Sequence, residues 1–332
     1  MTTYSPAFDL ERPASLNTLE ALICEVRRGL LERPRSLSPW MFYDSYGSRL
    51  FERIAQLPEY YLTRTERNIL RNSAAAIISA AHVGSSGPLR LVELGAGTAS
   101  KTAILLDAVV RRQGEVLYIP VDVSPDALDI ARERIGSLLP EVCVEPILAN
   151  YSTNPPQLES FEGTTLAIYL GSSIGNFSPE EARAILQNLS SQLQSGDALL
   201  LGTDKVKDES ILQAAYDDRD GITAEFNLNI LHRLNRELGA DFNLASFRHL
   251  ALWNRVESRI EMHLESTRDQ RVRIAAAYLD LHFTTGETIH TENSYKFTHE
   301  TIRVLIEDAG FEVEQTWTDE RRWYAVTLAH IQ

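Results

Sequence analysis

The chain has 332 residues, 44% of them hydrophobic, and a formal net charge of −14. That length fits one large or two ordinary domains with a real buried core. The acidic balance argues against DNA, RNA or an anionic membrane as the main partner.

The N-terminal "MTTYSPAFDLERPAS" has no basic segment followed by an apolar one, so no secretory signal is expected there. No apolar run approaches the roughly 18 residues of a membrane span. From residue 90 the pattern alternates between strand and helix. "RLVEL" (90–94) is a short apolar run ending in "GAG", and "TASKTAILLDAVVRRQ" (98–113) has helical apolar spacing at Ile104, Leu105, Ala108 and Val109. "VLYIPVDV" (116–123) reads as a second buried strand. "SPDALDIARERIGSLL" opens with a Ser cap, Pro in the first turn and an early Asp, a helix start. "CVEPILANY" reads as a third strand with Pro146 inside it, "TTLAIYLGSS" (164–173) as a fourth, and "DALLLGTD" (197–204) as a fifth. Between the last two, "SPEEARAILQNLSSQL" repeats the Ser-Pro helix start. Residues 205–257 read as helices rich in Leu and Asn. "RIEMHLEST" and "RVRIAAAYLDLHF" read as antiparallel strands. "THETIRVLIEDAG" (298–310) reads as a helix closed by Gly310, and "FEVEQTWTD" with "WYAVTLAHI" as a terminal hairpin.

This order resembles the class I methyltransferase fold, an α/β doubly wound sheet that is mostly parallel with a terminal antiparallel strand. On that reading, 66–204 with 297–332 form the S-adenosylmethionine-binding domain. A smaller α+β lobe, 12–65 with 205–296, takes the substrate. Cys24 and Cys143 fit no disulfide framework, and the eight histidines form no metal-ligand pair. A cytoplasmic protein without a metal is expected.

The loop "VELGAGTASK" (92–101) places Gly95 and Gly97 where a chain leaving a strand must turn tightly and approach a ligand. A dinucleotide fingerprint would put a third glycine at 100, where this chain has Ser100. Glu93 is an acid beside that loop, suited to an ammonium and unsuited to a diphosphate. Asp122, at the end of the second strand, stands where doubly wound folds bind a ribose diol. Together they point to S-adenosylmethionine; the bland alternative makes Glu93 and Asp122 caps of the loop and the next helix.

The chain resembles the histidine-specific Nα-methyltransferases of ergothioneine biosynthesis, from about residue 38 to its end. The likeness is carried by "FYDSYGSRLFERIAQLPEYYLTRTE" (42–66), "LVELGAGTASKT", "VDVS", "LGSSIGNF" (170–177), "LLLGTDKVKD", "AYDDRDGITAEFNLNIL", "NRELGADFNLASF", "RIEMHL" and "TENSYKF" (291–297). It implies that Gly95, Lys101, Asp122 and Gly171 hold the methyl donor, with the adenine at Asn150 and Tyr151, where the family usually has Asp and Phe. It implies that Asn176 and Tyr216 hold the substrate carboxylate, and that the amine lies near Tyr60 and Asn176 with Tyr43 close by. Tyr60, Asn176 and Tyr216 are therefore the residues expected around the reacting centre.

By periodicity alone, Glu292 and Ser294 read as a solvated strand face, since residues two apart share a side. The resemblance instead matches them to the pair that grips the imidazole of L-histidine, with Met262 packed nearby. A carboxylate and a hydroxyl suit a ring whose two nitrogens both need partners. The implied reaction is three methyl transfers to the α-amine, giving hercynine, in a monomer that needs no macromolecular partner. The main rival is a relative acting on a tryptophan- or tyrosine-derived amine, which would favour apolar residues at 292 and 294. A nicotinamide oxidoreductase is opposed by Ser100 and the terminal hairpin, and a non-catalytic binding protein by the set Glu93, Asp122, Asn176 and Tyr216.

Overall fold

Apolar runs bounded by glycine and by Ser-Pro helix starts fold as strand–helix units. The computed structural model describes residues 19–83, 87–153 and 155–331. The stretch read for a secretory signal, and residues 12–18 of the expected second lobe, lie outside the described residues.

The chain opens with α1 (Leu19–Leu31), β1 (Arg35–Ser36), α2 (Ser45–Ile54) and α3 (Tyr61–Ala81). There follow β2 (Leu89–Leu94), α4 (Ala103–Gln113), β3 (Val116–Asp122), α5 (Pro125–Leu138), β4 (Val142–Val144) and β5 (Ile147–Leu148). Next come β6 (Thr164–Tyr169), α6 (Pro179–Ser190), β7 (Ala198–Asp204), α7 (Glu209–Tyr216) and α8 (Ile222–Leu238). The strands β8 (Phe247–Asn254), β9 (Arg259–Ser266), β10 (Gln270–Ile274), β11 (Leu279–Phe283) and β12 (Thr288–Tyr295) intervene. The chain closes with α9 (His299–Glu307), β13 (Phe311–Thr318) and β14 (Tyr324–Ile331).

The main sheet is 8-stranded, in the order β13-β14-β7-β6-β2-β3-β4, with β5 also on β3. Pairings among β2, β3, β6 and β7 are parallel, while β14 runs antiparallel to β7. This is the class I methyltransferase arrangement; the antiparallel strand is last in the chain yet one place in from the sheet edge. Every residue of β2, β6 and β7 is buried, as a parallel sheet covered on both faces requires. Side chains alternate between two cores. Leu91, Leu166 and Leu200 meet Ile77 of α3 and Leu105 of α4. Val92, Ala167 and Leu199 meet Ile185 of α6 and Ile306 of α9.

Three local readings are corrected. The helix expected from residue 98 starts at Ala103, because Gly95, Gly97 and Ala99 take φ of +67°, +52° and +52° and keep the loop non-helical. The third strand is split around Pro146: β3 pairs with β4 up to Tyr118 and with β5 from Val121, so its own Pro120 falls in the gap. Residues 247–254, read as helix, form β8. Its partner β9 supplies the full register from Phe247↔Ser266 to Asn254↔Arg259, and such pairing decides a short apolar run that periodicity leaves open.

A second, 4-stranded sheet runs β1-β12-β9-β8, and β10 with β11 makes a separate ribbon. This sheet brings Met262 of β9 and Glu292 and Ser294 of β12 beside the ends of α7 and α8. Among the described residues, no helix is long and apolar enough to cross a membrane.

Candidate active site

The glycine loop leaves β2 at its carboxyl end. Gly95 N–H donates to Val121 O at 2.8 Å, and Gly97 N–H donates to Asp122 Oδ2 at 2.8 Å. The other Asp122 oxygen accepts from Ser124 N–H at 2.9 Å. Burial raises the Asp122 pKa and these backbone donors oppose the rise. A Cβ at Gly95 would sit 3.2 Å from the Tyr151 hydroxyl, whereas one at Gly97 would meet nothing within 4 Å. Asn150 is buried, and its side-chain oxygen accepts from Ser152 N–H at 3.0 Å. The loop, Asp122, Asn150 and Tyr151 therefore lie together at the strand ends.

Glu93 is buried beneath the loop. Its carboxylate accepts from Thr102 Oγ1 at 2.7 Å and from the Tyr118 hydroxyl, inside the protein. Burial lifts its pKa to about 7 although both hydroxyls hold it down. Lys101 is held by Glu66, a fully buried acid of α3. Glu66 also accepts from Gly171 N–H at 2.8 Å and Tyr324 Oη at 2.7 Å.

Beside this end of the sheet opens a cleft. Tyr43, Tyr60, Asn176, Tyr216, Met262, Glu292 and Ser294 all line it, and Gly171 joins it to the glycine-loop side. Residues far apart in sequence are thus brought to one cavity. A bulge in β12 between His290 and Glu292 sets Glu292 opposite Met262. Glu292 is 7% exposed, and among the described residues its carboxylate has no hydrogen-bond partner. Burial lifts its pKa to about 8, with the Lys296 ammonium opposing the shift. Nor do the side-chain polar groups of Tyr43, Tyr60 and Asn176 bond to any described residue. The cleft thus presents the Glu292 carboxylate and the polar groups of Tyr43, Tyr60 and Asn176 to a polar ligand.

Some residues of this cleft escaped the sequence. Phe51 and Phe226 line it and pack against Tyr43 with ring centroids 5.9 Å apart in each case. Phe51 also lies 6.2 Å from Tyr60, so four aromatic rings wall one side. An aromatic on a core-facing helix position gives no sign in sequence that it faces a cavity. Glu66 did leave a trace: it interrupts the apolar stripe of Leu62, Ile69 and Leu70. Lys296 did too, because 292, 294 and 296 continue one alternation. Among the described residues no His, Cys, Asp and Glu cluster is arranged to hold a metal.

A family model described as histidine-specific methyltransferase, S-adenosylmethionine-dependent, matches residues 22–331. The histidine N-alpha-methyltransferase of Mycolicibacterium smegmatis is 44% identical over 318 residues, covering 95% of this chain and 97% of that protein. That of Mycobacterium tuberculosis is 42% identical over 314 residues, covering 93% and 94%. The ergothioneine biosynthesis protein 1 of Neurospora crassa is 29% identical over 96% of this chain, which spans 36% of that longer protein.

Proposed function

The chain belongs to the histidine-specific, S-adenosylmethionine-dependent methyltransferases, and from that premise we propose that it converts L-histidine to hercynine, the opening step of ergothioneine synthesis. Three methyl groups pass in succession to the α-amine, leaving S-adenosylhomocysteine each time. The observation that carries this reading is Glu292, a buried carboxylate with no hydrogen-bond partner among the described residues, set with Ser294 in the cleft that Gly171 also lines.

The residues at the strand ends fit the methyl donor. Gly95 and Gly97 take positive φ and open a cradle, Asp122 offers a carboxylate to the ribose, and Asn150 and Tyr151 flank the adenine. Lys101 beside Gly171 serves the donor's carboxylate. Glu93 supports the loop through Thr102 and Tyr118. The donor supplies a sulfonium methyl that is already electrophilic.

What the protein adds is alignment, worth up to roughly 7–11 kcal/mol in favourable cases. Tyr216 and Asn176 hold the substrate carboxylate. Tyr60, Asn176 and Tyr43 place the amine, and Glu292 with Ser294 fix the imidazole against Met262. The amine attacks as the neutral base, so one proton leaves to water before each transfer. The aromatic wall of Tyr43, Phe51, Tyr60 and Phe226 suits the increasingly apolar, cationic product head. Residues 12–65 with 205–296 act as the substrate lobe.

The site is built from one chain, which suits a monomer. Exposed, free Cys24 and Cys143 suit a reducing cytoplasm. The test is mass spectrometry of the purified protein with S-adenosylmethionine and an equimolar mixture of the twenty amino acids. Histidine alone should gain three methyl groups. Methylation of tryptophan or tyrosine instead would overturn the substrate and the roles of Glu292 and Ser294.

A further inference from the structure

Lys296 lies two residues beyond Ser294, and its side chain is 0% exposed. An ammonium has three N–H donors and no acceptor. Those donors reach Asp204 Oδ2 at 3.0 Å, Tyr216 Oη at 2.9 Å and Ser294 Oγ at 2.8 Å. Asp204 is itself anchored by Tyr61 Oη at 2.7 Å and by Lys207. The hydroxyls of Tyr216 and Ser294 stand 2.6 Å apart. Between them they own two protons, and one must fill the bond that joins them. A single hydroxyl proton is left to point at a ligand.

We propose that Lys296 is a positioning residue that sets the direction of hydrogen bonding at the substrate site, making both hydroxyls acceptors from behind and leaving them one outward proton. This deepens the reading above and rests on it. If Tyr216 meets the histidine carboxylate, which can only accept, the outward proton belongs to Tyr216. Ser294 then donates to Tyr216, and its free lone pair faces an imidazole N–H. Glu292 takes the other ring nitrogen with one proton between them. Ser294 therefore reads an N–H specifically, and a ring without one leaves its lone pair unmatched.

Lys207 supplies the comparison, since it bonds the same Asp204 but touches neither hydroxyl. Histidine KM and kcat are measured for Lys296→Met, Lys207→Met, Ser294→Ala and the Lys296→Met/Ser294→Ala pair, with S-adenosylhomocysteine affinity by calorimetry. Losing a charged donor to two hydroxyls should raise the histidine KM of Lys296→Met about 10- to 100-fold. Its S-adenosylhomocysteine affinity should stay within about twofold, and Lys207→Met should keep its KM within about threefold. Ser294→Ala should add little on top of Lys296→Met, because residues acting through one another are not additive.

Equal KM changes in the two lysine variants, or full additivity with Ser294→Ala, would overturn the proposal, leaving Lys296 as one half of a buried charge pair. Should Lys296→Met no longer bind S-adenosylhomocysteine, Lys296→Gln replaces it, keeping two N–H donors without the charge. A KM closer to wild type than that of Ser294→Ala supports the directional role; a KM at or beyond it overturns it. Wild-type protein that methylates no histidine discards the substrate reading and this inference together. Wild-type turnover with an unaffected Lys296→Met discards the inference alone.

Discussion

The backbone N–H of Gly171 donates to Glu66 Oε1 at 2.8 Å, across 105 residues of sequence. Glu66 also accepts from Tyr324 and Lys101, so one buried carboxylate ties α3 to β14, to the loop after β6 and to the start of the α4 region. Two of those partners, Gly171 and Lys101, are assigned to the methyl donor. On that assignment the arrangement joins stability to cofactor affinity.

Glu66→Gln tests that junction. The amide keeps the shape but presents an NH2 to at least one donor and leaves the Lys101 ammonium without its counter-charge. Breaking a buried ion pair from one side costs about 3–5 kcal/mol. Denaturant unfolding should show a loss of that order, and calorimetry about tenfold weaker S-adenosylhomocysteine binding. Unchanged binding in a destabilised protein would separate Glu66 from the donor site.

The imidazole assignment makes a sharper demand. Glu292→Ala with Ser294→Ala removes both polar partners of the ring but touches nothing at the glycine loop. Histidine kcat/KM should fall on the order of 10⁴-fold, the range seen when a polar site loses its matched substrate groups. S-adenosylhomocysteine affinity should hold within about twofold. Steady-state kinetics on histidine and on phenylalanine give the comparison, and undiminished histidine turnover sinks the assignment.

Much of this was legible beforehand because parallel strands buried on both faces are continuous apolar runs. "LRLVEL" and "TTLAIY" show this, and the Ser-Pro pairs at 124–125 and 178–179 mark where helices begin. Strand β8 was not legible, since what makes "FRHLALWN" a strand is its register with β9, a tertiary fact. The seven residues assigned to the substrate were named from a resemblance, and their meeting in one cleft could not be read from spacing. Phe51 and Phe226 stayed hidden because a cavity wall and a core use the same side chains. Glu66 and Lys296 were visible in principle, as charges standing where the pattern is buried.

The aromatic wall leads to a different expectation. Phe51 stands edge-on to Tyr43 and Tyr60, with interplanar angles of 71° and 79°. Phe51→Leu keeps much of the volume but removes a π face from the amine end of the cleft. A cation over a ring contributes about 0.5–2 kcal/mol. Hercynine, with a permanent positive charge, should lose about 3- to 30-fold in affinity by calorimetry, and unmethylated histidine less. An equal loss for both ligands would mean that the ring acts by packing alone.

Protonation of Glu292 should show in the stability of the ligand-free protein. Burial lifts this carboxyl from 4.5 to about 8, Lys296 holding it back only in part. The folded protein then keeps a proton that the unfolded chain releases between those values. With fewer protons bound unfolded than folded, stability falls as pH rises through that window. The favourable contribution is complete below about pH 4.5 and gone above about pH 8. Glu93, raised to about 7, acts in the same direction and is common to both proteins, so it cancels in their difference. Glu292→Gln has no proton to lose. Unfolding free energies at pH 5 and pH 8.5 should fall more for wild type than for Glu292→Gln, by an amount on the order of a few kcal/mol. Parallel pH profiles for the two proteins would show that Glu292 titrates as an ordinary, solvated carboxylate.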